Sequence, residues 1–136
     1  MTRLYTGIDM IEIARIKAAL ERYGERFLQR VFTLSERERY AGRPESLAAR
    51  WAAKEAAAKM LGVGLRGPGS RQFAVAFTDI EVLADADGRP VLQLYERAEQ
   101  RANALAISEL SVSLSHTRTF AVASVTGVAL TQNRSS

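Results

Sequence analysis

An alanine-rich run in the first half of the chain, residues 48–61, is the stretch best suited to chemistry. Its composition strongly favours a helix. One glutamate, Glu55, stands in this run among three cations and a tryptophan. At helical spacing Trp51, Glu55 and Lys59 share one face, and Arg50 and Lys54 share the next. Glu55 and Lys59 could form an ordinary surface pair, but so many alanines favour a packed helix over a solvated one.

A second carboxylate, Asp9, lies between Ile8 and Met10 in an apolar setting. A buried carboxylate needs a partner, because an unpaired charge away from water is very costly. The alternative is a capping role, since Asp9 and Glu12 have the spacing of a capping box. The two interpretations do not exclude each other.

The chain has one histidine, His116, at the end of an alternating segment. A lone histidine is more often structural than catalytic, although its titration range near neutrality also suits a phosphate site. Two carboxylates such as Asp9 and Glu55 suit a hard cation such as Mg²⁺, which takes its remaining ligands from water and phosphate oxygens. With nearby lysines, these residues predict a site for a metal-bound diphosphate.

Four segments of the chain have the form of linked motifs. They are Gly-Ile-Asp at residues 7–9, Trp-Ala-Ala-Lys-Glu-Ala-x-x-Lys at 51–59 followed by Leu-Gly-x-Gly, a hairpin at 79–90, and Ser-His-Thr at 115–117. In this order and at this spacing they resemble the holo-acyl-carrier-protein synthases, a family of 4'-phosphopantetheinyl transferases. The resemblance spans roughly residues 6–125.

The resemblance implies a reaction with coenzyme A. A serine hydroxyl of an apo acyl carrier protein attacks the pantetheine-side phosphorus, which gives the holo-protein and adenosine 3',5'-bisphosphate for fatty acid biosynthesis. Such a transfer requires mainly positioning and charge neutralisation. The base is open among Asp9, Glu55 and a metal-bound water.

The resemblance also implies roles for individual residues. Asp9 and Glu55 would hold Mg²⁺, and with Lys59 and His116 they would form the catalytic set. Arg15 matches a position that contacts the carrier protein, and Arg22 and Arg26 are assigned to that contact by position. The coenzyme pocket would be lined by Arg50, Lys54, Lys59, Gly62, Gly64, Pro90, His116 and Thr117.

Composition narrows the class of protein. The 136 residues carry a formal net charge of +4, which favours an acidic partner. Several basic residues gather in the first two predicted helices, at Arg15, Lys17, Arg22, Arg26 and Arg30. We expect a cytoplasmic protein without a membrane segment, since the chain has no cysteine, no long apolar run and no signal-like N-terminus.

Periodicity predicts the elements that must position these residues. Helices are expected at residues 13–23, 25–31, 35–41, 44–61 and 96–106. Strands are expected at 4–9, 73–77, 80–83, 91–94, 109–115 and 120–125. Ser35 with Glu38 is the predicted cap of the third helix.

The predicted fold class is α+β, with a small antiparallel sheet packed against a long central helix and further N-terminal helices. We expect a single domain over residues 1–130 and a flexible tail over 131–136. The resemblance further implies a homotrimer with active sites between subunits.

Two other functions are alternatives for this sequence. A small basic domain could bind nucleic acid through its arginines, but it lacks a recognised motif or an aromatic stacking platform, and Asp9 and Glu55 would then have no role. We therefore expect no nucleic-acid partner. The same transferase chemistry on polyketide or peptide synthase carriers is the other alternative, and nothing in the sequence separates it from the first.

Overall fold

The structure is a computed structural model, and it describes residues 1–65 and 74–130. The glycine-rich segment at 66–73 and the predicted tail at 131–136 lie outside the described residues. Within the described ranges, none of the helices is both long and apolar enough to cross a bilayer. The elements, in chain order, are β1 (Thr2–Glu12), α1 (Ile13–Tyr23), α2 (Glu25–Val31), α3 (Leu34–Tyr40), α4 (Pro44–Leu61), β2 (Gly64–Leu65), β3 (Ala74–Val75), a 3₁₀ turn (Phe77–Asp79), β4 (Ile80–Ala84), β5 (Pro90–Leu94), α5 (Glu96–Ala104), β6 (Ile107–His116) and β7 (Phe120–Leu130).

Helix α4 is the centre of the fold. Pro44 opens it, where a missing backbone N–H costs nothing, and Gly62 ends it in the left-handed conformation at φ 69°. Its alanines are buried, and five of them are wholly inaccessible to solvent: Ala48, Ala52, Ala53, Ala56 and Ala57. Small side chains all round the helix let other elements approach it closely on every side.

A three-stranded antiparallel sheet in the order β1-β7-β6 packs on α4. Along β1 the side chains alternate: Gly7, Asp9 and Ile11 are less exposed and face α4, whereas Ile8 and Met10 are exposed. Two smaller pairs complete the described structure, an antiparallel β4–β5 hairpin and a short parallel β2–β3 pair. The predicted α+β class, with its antiparallel sheet on a long helix, is confirmed.

The structure corrects the capping role considered for Asp9. Strand β1 runs through Asp9 to Glu12, and α1 begins only at Ile13 without a side-chain cap. Asp9 therefore lies inside a strand, paired with Ala123 of β7. Its carboxylate faces α4, which makes it available to a partner on that helix.

The predicted cap of α3 is also corrected, by two residues. Thr33 is the cap, and it forms a reciprocal capping box with Glu36. The backbone N–H of Thr33 donates to Glu36 Oε1 at 2.9 Å, while Thr33 Oγ1 accepts from the backbone N–H of Glu36. Ser35 and Glu38 have the same sequence spacing, which explains the wrong prediction.

Gly7 sets the distance between β1 and α4. A Cβ atom added at Gly7 would lie 1.9 Å from the carbonyl oxygen of Ala56 and 2.8 Å from the backbone nitrogen of Met60. Both neighbours are backbone atoms and cannot rotate away. Only glycine lets the strand cross the helix this closely, and Asp9 follows two residues later.

We expect Gly7→Ala to lower the free energy of unfolding by about 3 kcal/mol, because the new methyl group would push β1 away from α4. Urea denaturation measures this loss. Gly42→Ala is the matched control, since a Cβ atom at Gly42 meets nothing within 4 Å. Equal stabilities for the two variants would contradict the close contact.

Candidate active site

Lys59 joins the central helix to the first strand. Its Nζ donates to Asp9 Oδ1 at 3.1 Å and to the carbonyl oxygen of Ile8 at 3.0 Å. The ammonium reaches β1 because Gly7 lets the strand lie against α4. The Lys59 side chain stays 57% exposed, whereas the Asp9 side chain is only 19% exposed. The pair is therefore at the surface end of a partly enclosed site.

Glu55 lies one helical turn before Lys59 and lines the same small cavity as Asp9. This cavity has a volume of about 220 Å³. It is also lined by Met10, Ile11, Arg15 and Trp51. The structure thus brings together three of the four predicted catalytic residues, Asp9, Glu55 and Lys59, with Arg15 beside them.

The two carboxylates influence each other electrostatically. Burial raises the pKa of Glu55, and the negative charge of Asp9 raises it further, while the positive charge of Lys59 partly offsets both effects. An additional cation near Glu55 would stabilise its ionised form and so lower this pKa.

The donor set fits a hard divalent cation. Asp9 and Glu55 present carboxylate oxygens to one cavity, and such oxygens are the ligands that Mg²⁺ takes. Among the described residues, no group of three or more histidine, cysteine, aspartate or glutamate side chains could hold a metal ion. Two protein ligands suit Mg²⁺, which usually keeps several waters and binds substrate phosphates directly.

Trp51 forms the aromatic wall of the cavity, a role that the sequence did not assign. It stacks on Phe77 with ring centroids 4.7 Å apart and on Phe27 with centroids 6.0 Å apart. This stack connects α4 to the 3₁₀ turn and to α2. The sequence signal was the shared helical face of Trp51 and Glu55.

Lys54 lies in the core and not at the cavity. Its side chain is wholly buried, and its ammonium forms an ion pair with Glu36 Oε1 at 2.7 Å, itself wholly buried. Lys54 also donates to the carbonyl oxygens of Phe77 and Ile80. Burial lowers the pKa of Lys54, against the raising effect of the Glu36 charge. All three N–H donors of the ammonium are used.

Arg50 is also directed into the fold. Its guanidinium lies 3.6 Å from the ring centroid of Tyr40, and its Nε donates to the carbonyl oxygen of Val82 at 3.0 Å. Among the described residues that line the cavity, neither Arg50 nor Lys54 is present. Their charges bind the β4 region to α4, and the predicted contact of these two side chains with the coenzyme stays a prediction.

His116 lies apart from the cavity of Asp9 and Glu55. It pairs with Ala121 at the end of β6, so that the whole of strand β7 separates it from β1. Its ring is exposed, with Nδ1 3.3 Å from the carbonyl oxygen of Thr117. Thr117 organises the following turn, since its Oγ1 accepts from the backbone N–H of Phe120 at 3.0 Å. Within one chain, therefore, His116 and Thr117 lie apart from the carboxylates of Asp9 and Glu55.

The remaining predicted coenzyme contacts are at the ends of elements. Gly62 caps α4, and Gly64 begins β2 immediately before the undescribed segment. Pro90 starts β5 and pairs with Ala84. Gly62 and Gly64 are exposed, and Pro90 is half-buried. These three residues are accessible, but they do not belong to the described lining of the carboxylate cavity.

A second cavity lies on the basic helices. It has a volume of about 410 Å³ and is lined by Tyr23, Arg26, Phe27 and Arg30. Arg26 is one of the three predicted carrier contacts, beside Arg15 and Arg22, whereas Arg30 was not assigned to that contact. Phe27 links the two cavities, because its ring also stacks on Trp51. The rings of Phe27 and Trp51 thus connect the basic helix α2 to the cavity that Glu55 lines.

Comparison with known proteins agrees with this geometry. Residues 5–123 match the profile of the 4'-phosphopantetheinyl transferase superfamily. The holo-[acyl-carrier-protein] synthase of Herpetosiphon aurantiacus is 54% identical over 125 residues, which are 92% of this chain and 98% of that protein.

Two solved structures share the fold. The Helicobacter pylori holo-[acyl-carrier-protein] synthase in complex with coenzyme A is 32% identical, with a TM-score of 0.75, over 88% of this chain and 96% of that one. The Chronobacterium ammoniagenes ACPS-CoA complex is also 32% identical, with a TM-score of 0.77, over 95% and 99%. The range that matches the family contains helix α4 with Asp9, Glu55 and Lys59, and the chain belongs to the 4'-phosphopantetheinyl transferase superfamily.

Proposed function

We propose that this protein transfers the 4'-phosphopantetheine group of coenzyme A to a serine of an apo acyl carrier protein. The products are the holo-acyl carrier protein and adenosine 3',5'-bisphosphate. The observation that carries this proposal is that Asp9, Glu55 and Arg15 line one cavity, while Lys59 donates to Asp9 at its edge. Carboxylates, an ammonium and a basic approach surface are what a diphosphate substrate and an acidic protein require.

Asp9 and Glu55 are proposed to hold Mg²⁺. When bound, the metal ion supplies positive charge that neutralises the diphosphate of coenzyme A. The shared cavity supports this assignment, and the negative charge of Asp9 adds to burial in raising the pKa of Glu55. A carboxylate pair without a cation would instead repel the substrate.

The chain's own residues would carry out the rest of the transfer. The serine oxygen forms a bond to the pantetheine-side phosphorus, and the bond from that phosphorus to the bridging oxygen of adenosine 3',5'-bisphosphate breaks. Lys59 lies beside the carboxylates with an exposed side chain, so it is placed to stabilise the charge on the leaving phosphate. Asp9 and Glu55 are the acceptors that the cavity offers for the serine proton, together with solvent water.

The metal requirement is tested by following adenosine 3',5'-bisphosphate chromatographically in a reaction with coenzyme A and a carrier protein. We expect release in the presence of Mg²⁺, loss of release with EDTA, and recovery when Mg²⁺ is added in excess. Full release in EDTA would contradict the role given to Asp9 and Glu55.

The basic helices are proposed to bind the carrier protein. The pocket between Arg26 and Arg30 contains two aromatic side chains, which suits an acidic helix that presents an apolar residue. Arg15 and Arg22 extend the positive surface along α1. Because Arg15 also lines the carboxylate cavity, a carrier bound to these helices would have its serine close to Glu55.

We expect Arg26→Glu to raise the KM for the carrier protein about tenfold or more, with little change in the KM for coenzyme A, because like charges would then face each other. Steady-state kinetics at low and high salt measure both constants. Arg39→Glu, an exposed change of the same charge on α3, is the control. Equal effects of the two substitutions would argue against a specific docking surface.

A homotrimer with active sites between subunits remains our proposal for the assembly. Two features support it: His116 and Thr117 lie apart from the carboxylates of their own chain, and β1 exposes an apolar row on its outer face. In that row Leu4 is 64% exposed, Ile8 63% and Met10 61%. Native mass spectrometry tests the trimer, and a monomer that retains full activity would contradict it.

We also retain the cytoplasm as the proposed location, which a cysteine-free chain suits.

A further inference from the structure

Lys59 has a position that the transfer reaction alone does not explain. Its ammonium does not project freely toward a substrate but is held against β1, by Asp9 Oδ1 and by the carbonyl oxygen of Ile8. Asp9 is one of the two proposed metal ligands. The lysine therefore binds one oxygen of a carboxylate that the metal ion would also use.

The charges around Lys59 show what it does there. Lys59 donates directly to Asp9, and its positive charge also lowers the pKa of Glu55, against the raising effects of burial and of the Asp9 charge. The ammonium of Lys59 therefore offsets part of the negative charge of the two carboxylates, as a bound divalent cation would. A divalent ion at the same carboxylates would be repelled by the ammonium, because like charges a few ångströms apart interact unfavourably at a protein surface.

The Lys59 side chain is able to leave. It is 57% exposed, its stem is flexible, and its ammonium is strongly hydrated, so water can replace the contacts to β1. Lys54 offers the contrast, since three partners in the core hold its wholly buried ammonium. Lys59 is therefore suited to move, and Lys54 is not.

We propose that Lys59 is a built-in counter-cation: its ammonium offsets part of the negative charge of Asp9 and Glu55 when no divalent cation is bound, and it leaves Asp9 for the coenzyme diphosphate when one binds. This inference rests on the proposed function and adds a competition between Lys59 and the metal ion. Before the substrates arrive, Lys59 would reduce the repulsion between the two carboxylates. It would also make divalent-ion binding and diphosphate binding mutually favourable, since the displaced ammonium gains a phosphate partner.

The test measures Mg²⁺ binding without any turnover. Isothermal titration calorimetry of the metal-free protein should give a dissociation constant that is about tenfold or more lower for Lys59→Met than for the unmodified chain, because the competing charge is gone. Lys17→Met removes the same charge from the exposed face of α1 and should change the constant less than twofold. Asp9→Asn should abolish binding.

A second measurement separates competition from a general effect on folding. Without Mg²⁺, Lys59→Met should melt at a lower temperature than the unmodified chain, because its carboxylates lack a counter-charge. Saturating Mg²⁺ should then raise the melting temperature of Lys59→Met by more than it raises that of the unmodified chain. Both results together support the counter-cation.

Two outcomes overturn the proposal in distinguishable ways. Mg²⁺ binding that Asp9→Asn abolishes but Lys59→Met leaves unchanged or weakens would overturn the counter-cation and leave the metal site intact. Absence of Mg²⁺ binding in every variant would overturn the counter-cation together with the metal assignment on which the proposed function depends.

Discussion

Replacing Glu55 by glutamine is expected to reduce transfer by roughly 10²- to 10³-fold while the protein remains folded. Glutamine keeps the shape of the side chain but removes one of the two charges proposed to hold the metal ion. The fold should tolerate the change, because burial and Asp9 already disfavour the ionised form of Glu55. Initial rates of carrier modification, measured beside circular dichroism, give both results.

The ionisation of Glu55 also affects the stability of the folded chain. The pKa of Glu55 is raised in the folded chain, so its ionised form opposes folding at pH values above that pKa, and the opposition disappears as the pH falls through it. Glu55→Gln should therefore melt no lower than the unmodified chain at neutral pH without metal. Glu45→Gln, in the first turn of the same helix, is the matched control and should retain activity. A fully active Glu55→Gln variant would remove Glu55 from the metal site.

Replacing Lys54 by methionine is expected to lower the free energy of unfolding by about 3–5 kcal/mol, since it leaves the buried charge of Glu36 without its cation. The carbonyl oxygens of Phe77 and Ile80 would also lose a donor. Methionine matches the length of the lysine stem, so the loss would come from charge and hydrogen bonding more than from packing. Chemical denaturation measures it.

A double variant provides the control for this buried pair. Adding Glu36→Leu to Lys54→Met removes both charges, and the double variant should be destabilised by less than the sum of the two single changes. The remaining cost would include the lost bond from the backbone N–H of Val82 to Glu36 Oε2. A Lys54→Met protein within about 1 kcal/mol of the unmodified chain would contradict the importance of the ion pair.

The helices were the most predictable part of the fold. Helix α4 ends at Gly62 as expected, and α1 follows the apolar stripe of Ile13 and Ile16 to its stop at Gly24. Local composition and periodicity determine these features. The strand ends were less predictable: β7 continues to Leu130 because β1 and β6 supply partners along its full length. Such pairing partners are distant in sequence and leave no local signal.

The interior contacts of the charged residues on α4 were the least predictable from the sequence. Helical spacing placed Arg50 and Lys54 next to Glu55, but spacing cannot tell whether the adjacent face meets solvent or another element. Here that face meets β4 and α3, so Lys54 bonds to Glu36 and Arg50 lies on Tyr40. The sequence therefore did not show that both cations are buried in the folded chain.

The sequence predicted that Asp9 would lie near residues of α4, but it did not show what brings the strand so close to the helix. The carboxylate needed a partner, and the structure supplies Lys59 directly, with Glu55 in the same cavity. The contact depends on Gly7, whose lack of a side chain is evident in the sequence while the backbone that it meets is not. The predicted meeting of His116 with these residues is not made within one chain.

The most direct measurement is the mass of an apo acyl carrier protein after incubation with this protein, coenzyme A and Mg²⁺, beside parallel reactions with EDTA and with Asp9→Asn. We predict a mass gain of one phosphopantetheine that requires Mg²⁺ and is lost in Asp9→Asn. No gain on fatty-acid, polyketide and peptide carrier domains, or an undiminished gain with Asp9→Asn, would contradict the transfer site assigned to Asp9, Glu55 and Lys59.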